Sequence, residues 1–154
     1  MRAVIKDPDE IYRQMKIDDL EDVMAIESHA YTYPWSKAIF RDCIGANYHC
    51  CVMEVDSELV GYAVFIIAVG ECHILNICIH PQLHGRGLGR KLLCAVLELA
   101  SESQAKCVFL EVRPSNIHAI SLYESEGFNE VGIRKKYYPA KHGREDAVIF
   151  PKEL

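Results

Sequence analysis

Three glycines in five residues, within His84-Gly85-Arg86-Gly87-Leu88-Gly89, separate a β-rich run from an amphipathic helical pattern. The run before it is Cys72 to Ile79, and the helix after it extends from Leu88 to about Ser101. Glycine carries no Cβ, so a backbone of this composition can approach a ligand closely. A helix that begins in such a turn aims free N–H groups and its positive dipole end at whatever lies there. The stretch predicts a strand–turn–helix unit whose turn holds the pyrophosphate of a nucleotide-like cofactor. The plainer alternative is a glycine-rich joint without a ligand.

Spacing narrows the choice of cofactor. Dinucleotide sites use G-x-G-x-x-G early in a βαβ unit, whereas the glycines here run G-x-G-x-G. The mononucleotide string G-x-x-x-x-G-K-[ST] does not occur.

The rest of the chain reads as one α/β (α+β) domain. With 154 residues, half of them hydrophobic, it can bury a sizeable core. A net charge of -5 argues against general nucleic-acid binding. The seven cysteines include no C-x-x-C pair and suit a reducing compartment. Met1 to Gln14 is too polar for a signal peptide, and Leu59 to Val69 is too short to span a membrane. The expected location is therefore the cytoplasm. Residues 1–13 read as an N-terminal extension, with a turn at Asp7-Pro8-Asp9.

Tyr12 to Ile17 is a strand candidate, and Asp18 or Asp19 can cap a helix carrying Leu20, Val23, Met24 and Ile26. Pro34 ends that helix before Tyr31-Thr32-Tyr33-Pro34-Trp35. Ser36 caps a second helix that Gly45 stops. Tyr48 to Val55, Leu59 to Val69 and Cys72 to Ile79 read as an antiparallel meander. Leu92, Leu93, Val96, Leu97 and Ala100 form the buried face of the helix after the glycines. Cys107 to Val112 is a strand, Asn116 to Ser125 a helix, and Phe128 to Tyr138 and Ala147 to Phe150 two last strands joined by Pro139 to Asp146. Helical crossovers make parallel neighbours and hairpins antiparallel ones. The prediction is a mixed, mostly antiparallel sheet of about six to seven strands with helices on both faces.

A second motif, LEVRPSNIHAISLYESEGF, occupies Leu110 to Phe128. Together with H-G-R-G-L-G it resembles the GNAT acetyltransferases, whose pyrophosphate loop is written Q/R-x-x-G-x-G/A; His84 departs from the first position. More narrowly, it is similar to the ribosomal-protein-alanine N-acetyltransferases, which carry L-E-V-R-x-S-N-x-x-A-x-x-L-Y-x-x-x-G-F. Tyr33-Pro34-Trp35-Ser36, Asn76-Ile77, Tyr137-Tyr138-Pro139 and Glu145-Asp146-Ala147 add to the likeness, which runs from about Gln14 onward. The resemblance implies the GNAT fold, acetyl-CoA as co-substrate, an α-amino acceptor and no metal. It implies that the third and fourth long strands splay to admit the pantetheine arm beside Ile77, Cys78 and Ile79.

Acetyl transfer to an amine needs a base for the ammonium, donors for the thioester oxygen and a proton for the departing thiolate. Glu111 shares one face of its strand with Phe109. By pattern it is either a solvated or ion-paired edge residue or a base, and the resemblance implies the base, through a water or directly. Tyr123 follows Ile120 by three residues and points inward. It is a core tyrosine or the acid that protonates the thiolate, and again the resemblance implies the acid. Asn116 suits a helix cap, and the family match adds a cofactor contact. Gly85, Arg86, Gly87, Leu88, Gly89 and Arg90 form the cofactor loop, the two arginines being either phosphate partners or solvated surface. Trp35, Tyr137, Tyr138 and Glu145 form the acceptor side. His73, His80 and His84 lack the companions of a metal site. Cys78 invites a ping-pong route through an acetyl-cysteine, but the resemblance implies direct transfer.

The implied function is acetylation of a protein N-terminus, the N-terminal alanine of a small-subunit ribosomal protein, with no direct nucleic-acid or membrane partner. Acetylation of a small amine on the same fold is the alternative, and a non-catalytic acetyl-CoA-binding regulator is another. A dinucleotide oxidoreductase is disfavoured by the glycine spacing.

Overall fold

The computed structural model describes residues 4–7 and 9–154. In chain order these form β1 (Val4–Asp7), β2 (Glu10–Gln14), α1 (Leu20–Ala30), α2 (Lys37–Gly45), β3 (His49–Val55) and β4 (Glu58–Ala68). There follow β5 (Glu71–Ile79), α3 (Leu88–Glu102), β6 (Cys107–Val112), α4 (Ile117–Ser125), β7 (Gly132–Ala140) and β8 (Gly143–Glu153). All eight described strands join one sheet in the order β1-β2-β3-β4-β5-β6-β8-β7.

Local chemistry sets this order. Asp56 and Ser57 close β3 onto β4 with φ of 51° and 67°, and Val69 and Gly70 close β4 onto β5 with φ of 53° and 75°. Two left-handed residues in a two-residue loop match the twist of a hairpin. No such turn can join β5 to β6, which are parallel, so α3 makes the crossover. That is the one parallel pairing among the described strands.

One face of the sheet is covered by α3 and α4. Leu92, Leu93, Val96, Ala100 and Tyr123 pack there on Phe65, Ile74, Val108 and Leu110. The other face is covered by α1 and α2, where Leu20, Val23, Ile26 and Phe40 meet Val52, Tyr62, Val64 and Cys78.

Between β5 and β6 the sheet opens. The parallel ladder runs from Glu71↔Cys107 to Ile74↔Leu110 and ends there. β5 stays with β4 as far as Ile79, while β6 stays with β8 as far as Val112. The cause lies one residue further on. Val64 opposes Asn76 and Phe65 opposes Ile74, which leaves Leu75 as an extra residue in β5. A bulge of this kind bends the strand that carries it.

Some elements depart from the sequence reading. β1 lies in the segment read as lacking periodicity, and of the expected Asp7-Pro8-Asp9 turn Pro8 falls outside the described residues. Asp19 stands at the start of α1 but does not cap it; its carboxylate takes both Arg13 guanidinium nitrogens at 2.9 Å. Gly45 is the last residue of α2, and the left-handed residue behind it is Asn47, φ 60°. The Pro139–Asp146 joint is strand on both sides of a turn at Lys141 and His142; β7 is the outermost strand, and an edge tolerates proline.

Candidate active site

Gly85 and Gly87 have φ of 81° and 77°, and a Cβ at either would meet nothing within 4 Å. The space above this turn is open. Gly87 stands at the N-cap of α3 with no side-chain cap, and the first turn of the helix holds no acidic residue. The Lys91 N–H donates to Gly87 O at 3.1 Å, so Leu88, Gly89 and Arg90 precede the first helical bond and their N–H groups face the turn. Arg86 beside them is exposed, whereas Arg90 pairs with Glu126 at 2.9 Å. His84 donates from Nε2 to Ile79 O at 3.1 Å, tying the loop to the end of β5. These features fit a pyrophosphate: an uncapped helix start, a cationic flank and room for the anion.

The parted edge of β5 carries Ile77, Cys78 and Ile79. The Tyr31 hydroxyl donates to Ile77 O at 3.3 Å. Burial pushes the Cys78 thiol up to about 11, although the nearby Tyr62 and Tyr31 hydroxyls act the other way. Tyr123 approaches from α4, its ring tilted on Phe128 at 5.7 Å and on Phe150 at 6.5 Å. Burial, and then the neighbouring Cys78, push its phenol above the ordinary tyrosine value, so it is protonated at neutral pH. Asn116 caps α4, its Oδ1 accepting from the Ala119 N–H at 3.3 Å.

Glu111 lies just past the parting point, on the face of β6 opposite Leu110 and Val112. Its side chain is only 6% exposed. One oxygen is 2.7 Å from His73 Nε2 and the other 3.5 Å from Arg134 Nε. The His73 ring lies flat on Phe109, with centroids 4.3 Å apart and planes 15° apart. Leu110 and Val112 face the core that holds Tyr123. Glu111 and Tyr123 therefore address the gap between β5 and β6 from opposite faces of the sheet.

Around Glu111 the far wall is aromatic and charged. Arg113 donates to Pro139 O at 2.7 Å and to Glu145 at 3.1 Å. Its guanidinium lies 4.5 Å from the Tyr138 ring centroid and 5.7 Å from that of Tyr33. Burial works against ionisation of Glu145, but bonds from Ser115 and Arg113 outweigh it and hold the carboxyl below its ordinary value. Tyr137 meets Tyr138 edge-on at 4.9 Å. Trp35 does not join this group through its ring, which packs on Phe40 at 5.2 Å. Its backbone N–H donates to Glu27 at 2.9 Å.

Glu27, Arg113 and His73 were not among the sequence-predicted site residues. Glu27 is 1% exposed and also accepts from Tyr62 at 2.6 Å and from Asn76 at 3.0 Å. It anchors both the Trp35 segment and the parted edge of β5. A carboxylate on the apolar side of α1 was the one signal available for it. Among the described residues, no cluster of three His, Cys, Asp or Glu could hold a metal, and no helix is long and apolar enough to cross a membrane.

An uncapped helix behind a glycine turn, beside a bulged strand that parts from its parallel neighbour, defines an acyl-transfer scaffold. Residues 20–128 match the acetyltransferase (GNAT) family, and the chain belongs to it. It is 38% identical over 131 residues to the [ribosomal protein bS18]-alanine N-acetyltransferase of Salmonella typhimurium, covering 85% of this chain and 88% of that protein. It is 36% identical over 140 residues to the Haemophilus influenzae protein of the same name, covering 90% and 95%. The crystal structure of the ribosomal-protein-S18-alanine N-acetyltransferase from Escherichia coli superposes with a TM-score of 0.87 at 34% identity, covering 94% of each chain. The fold class and the acetyltransferase activity expected from the sequence are thereby established.

Proposed function

We propose that this acetyltransferase moves the acetyl group of acetyl-CoA directly onto the N-terminal alanine of a small-subunit ribosomal protein, the counterpart of bS18. The observation that carries the reading is the placement of Glu111 and Tyr123 on opposite faces of one gap. Relatives named for bS18 alanine acetylation, matched over most of both chains, support the acceptor. The cytoplasm, where ribosomal proteins are made, is the corresponding location, and the partner is a protein N-terminus rather than nucleic acid or membrane.

In this reading the α3 turn, with Gly85, Arg86, Gly87, Leu88, Gly89 and Arg90, binds the pyrophosphate of acetyl-CoA. Ile77, Cys78 and Ile79 flank the pantetheine arm, and Asn116 stands beside it. Tyr137, Tyr138 and Glu145 line the acceptor side, while the Trp35 ring is held away from them on Phe40. An α-amino group has a pKa of roughly 7.7–8.0 and is largely charged near neutrality. Glu111 takes a proton from it, directly or through a water. Nitrogen then attacks the acetyl carbon and the C–S bond breaks with its electron pair on sulfur. Tyr123 protonates the thiolate. Nitrogen loses two protons in all; sulfur keeps one, and one leaves the site.

A thiol-release assay tests the proposal. Acetyl-CoA would be offered with the chain's cognate S18 N-terminal peptide, the same peptide beginning with other residues, and spermidine. The alanine peptide should give the highest kcat/KM. Preference for spermidine would move the acceptor to small amines.

A further inference from the structure

We infer that His73 is a positioning residue for Glu111 and that its charge state sets how strong a base Glu111 is. The inference rests on the reading of Glu111 as the base.

The geometry is specific. His73 and Phe109 are partners in the parallel ladder, and their rings stack. Stacking fixes the imidazole plane and leaves Nε2 aimed at Glu111, 2.7 Å away. An ionised carboxylate can only accept, so Nε2 carries the hydrogen in this contact. That bond fixes the carboxylate in one orientation on a strand that has just lost its neighbour. The His73 side chain is 25% exposed against 6% for Glu111, so His73 exchanges protons with solvent more readily than the group it holds.

Imidazole changes charge between pH 5 and 8. When neutral it still donates Nε2–H and orients Glu111, leaving one cation, Arg134, at the carboxylate. When protonated it adds a second positive charge at hydrogen-bonding distance, which makes Glu111 a weaker base. The rate should therefore rise with pH as His73 loses its proton. Other groups face this pair. Arg134 and Tyr138 come from β7, the Tyr138 phenol being pushed up by burial and then by Glu111. Arg113 lies two residues further along the chain, just past the end of β6, and is bonded to Glu145 of β8. Glu71 lies two residues before His73 on β5, and from β4 the cross-strand neighbour of His73 is the uncharged Ile66. None of these others titrates ordinarily between pH 5 and 8. The acceptor ammonium sets one acidic limb in every variant, with its pKa of roughly 7.7–8.0, and His73 adds a further one of its own.

His73→Gln separates orientation from charge, because its amide donates to the carboxylate but cannot be protonated. Its kcat at pH 8.5 should stay within about threefold of the wild type, while the acidic limb moves down by at least about one pH unit. His73→Ala should lose about tenfold or more in kcat at every pH, part of the roughly 10²–10⁴-fold that a correctly placed base contributes. Acetyl-CoA affinity, measured by calorimetry, should be unchanged in both. Independently of variant folding, the imidazole of His73 followed by NMR in the wild-type protein should titrate at the midpoint of the part of the limb that His73→Gln loses. A His73→Gln profile that superimposes on the wild type, a His73→Ala enzyme within a few-fold of it, or an NMR midpoint far from the limb would each overturn the inference. Glu111→Gln with full activity is a different result, since it removes the base itself.

Discussion

Ile74 and Leu110 are the last residues paired across the parallel ladder, although both their strands run on. The bulge at Leu75 turns β5 away at that point, and the freed edge carries Ile77 to Ile79. If acetyl-CoA docks along this edge, its amide carbonyls supply the partners that β6 withholds. Hydrogen exchange should then slow at Ile77 and Ile79 on addition of acetyl-CoA, with little change at Cys72 and Ile74 in the paired part. Equal protection along the whole strand would indicate global stabilisation instead.

Gly87 and Gly89 should respond differently to the same small change. Gly87 sits at φ 77° in open space, so an alanine there meets backbone strain alone and fills the turn. Gly87→Ala should cost about 1–2 kcal/mol of stability and weaken acetyl-CoA binding by about tenfold or more. Gly89 is helical, and its Cβ would meet Leu122 at 3.6 Å and Ile79 at 3.9 Å, ordinary contacts. Gly89→Ala should fold at least as well as the wild type, since alanine favours helix by about 1 kcal/mol. Urea unfolding and calorimetry on both variants check this. Equal loss of affinity in the two would mean that the loop is sensitive to bulk and not to backbone angle.

Elements with a strong local period were legible in the sequence. β6 runs from Cys107 to Val112 as read, and of the five positions read as the buried face of α3, Leu92, Leu93, Val96 and Ala100 are buried and Leu97 is partly buried. The contact between His73 and Glu111 was not, because it joins residues 38 apart whose register only the folded parallel ladder defines. The sequence, which offered His73 no companions for a metal site, therefore assigned it no role. Arg13 hid the role of Asp19 in the same way, by offering a bidentate partner that competes with capping. The β7–β8 hairpin was shortened because Pro139 reads as a breaker, and nothing local says that its strand is an edge.

Cys78 should be dispensable. It lies at the parted edge, but burial pushes its thiol up to about 11. At pH 8 roughly one molecule in a thousand would carry the thiolate, too few for an acyl-enzyme route. Cys78→Ala should keep kcat within a few-fold, and native protein should resist iodoacetamide at Cys78 until the pH approaches that value. Mass spectrometry that finds an acetylated Cys78 chased by added peptide would establish ping-pong transfer instead.

Arg113 links the two sides of the proposed acceptor wall, Tyr33 from the segment after α1 and Tyr138 with Glu145 from the last hairpin. Lysine keeps the charge but loses the flat guanidinium that stacks on Tyr138 while donating to Pro139 O. Arg113→Lys should raise the peptide KM about tenfold with acetyl-CoA saturating, a loss of about 1.4 kcal/mol in binding. The KM for acetyl-CoA should not change. An unaltered peptide KM would take the wall out of acceptor binding.

Tyr123→Phe tests the acid most directly. The substitution keeps the ring that packs on Phe128 and Phe150 and removes only the hydroxyl. Tyr123 is 7% exposed, and among the described residues no buried polar side-chain atom lacks a partner. Loss of the hydroxyl should cost no more than one hydrogen bond, about 0.5–1.5 kcal/mol of stability. A core tyrosine would then leave turnover untouched. A proton donor to the CoA thiolate would not: kcat should fall about 10²–10⁴-fold with acetyl-CoA affinity unchanged. The two roles separate on turnover alone, because neither predicts a large shift in melting temperature. A leaving thiol of lower pKa needs less protonation, so an acetyl donor built on one should narrow the gap between mutant and wild type. A mutant within a few-fold of the wild type with acetyl-CoA would make Tyr123 a packing residue, with water or the acceptor nitrogen supplying the proton to sulfur.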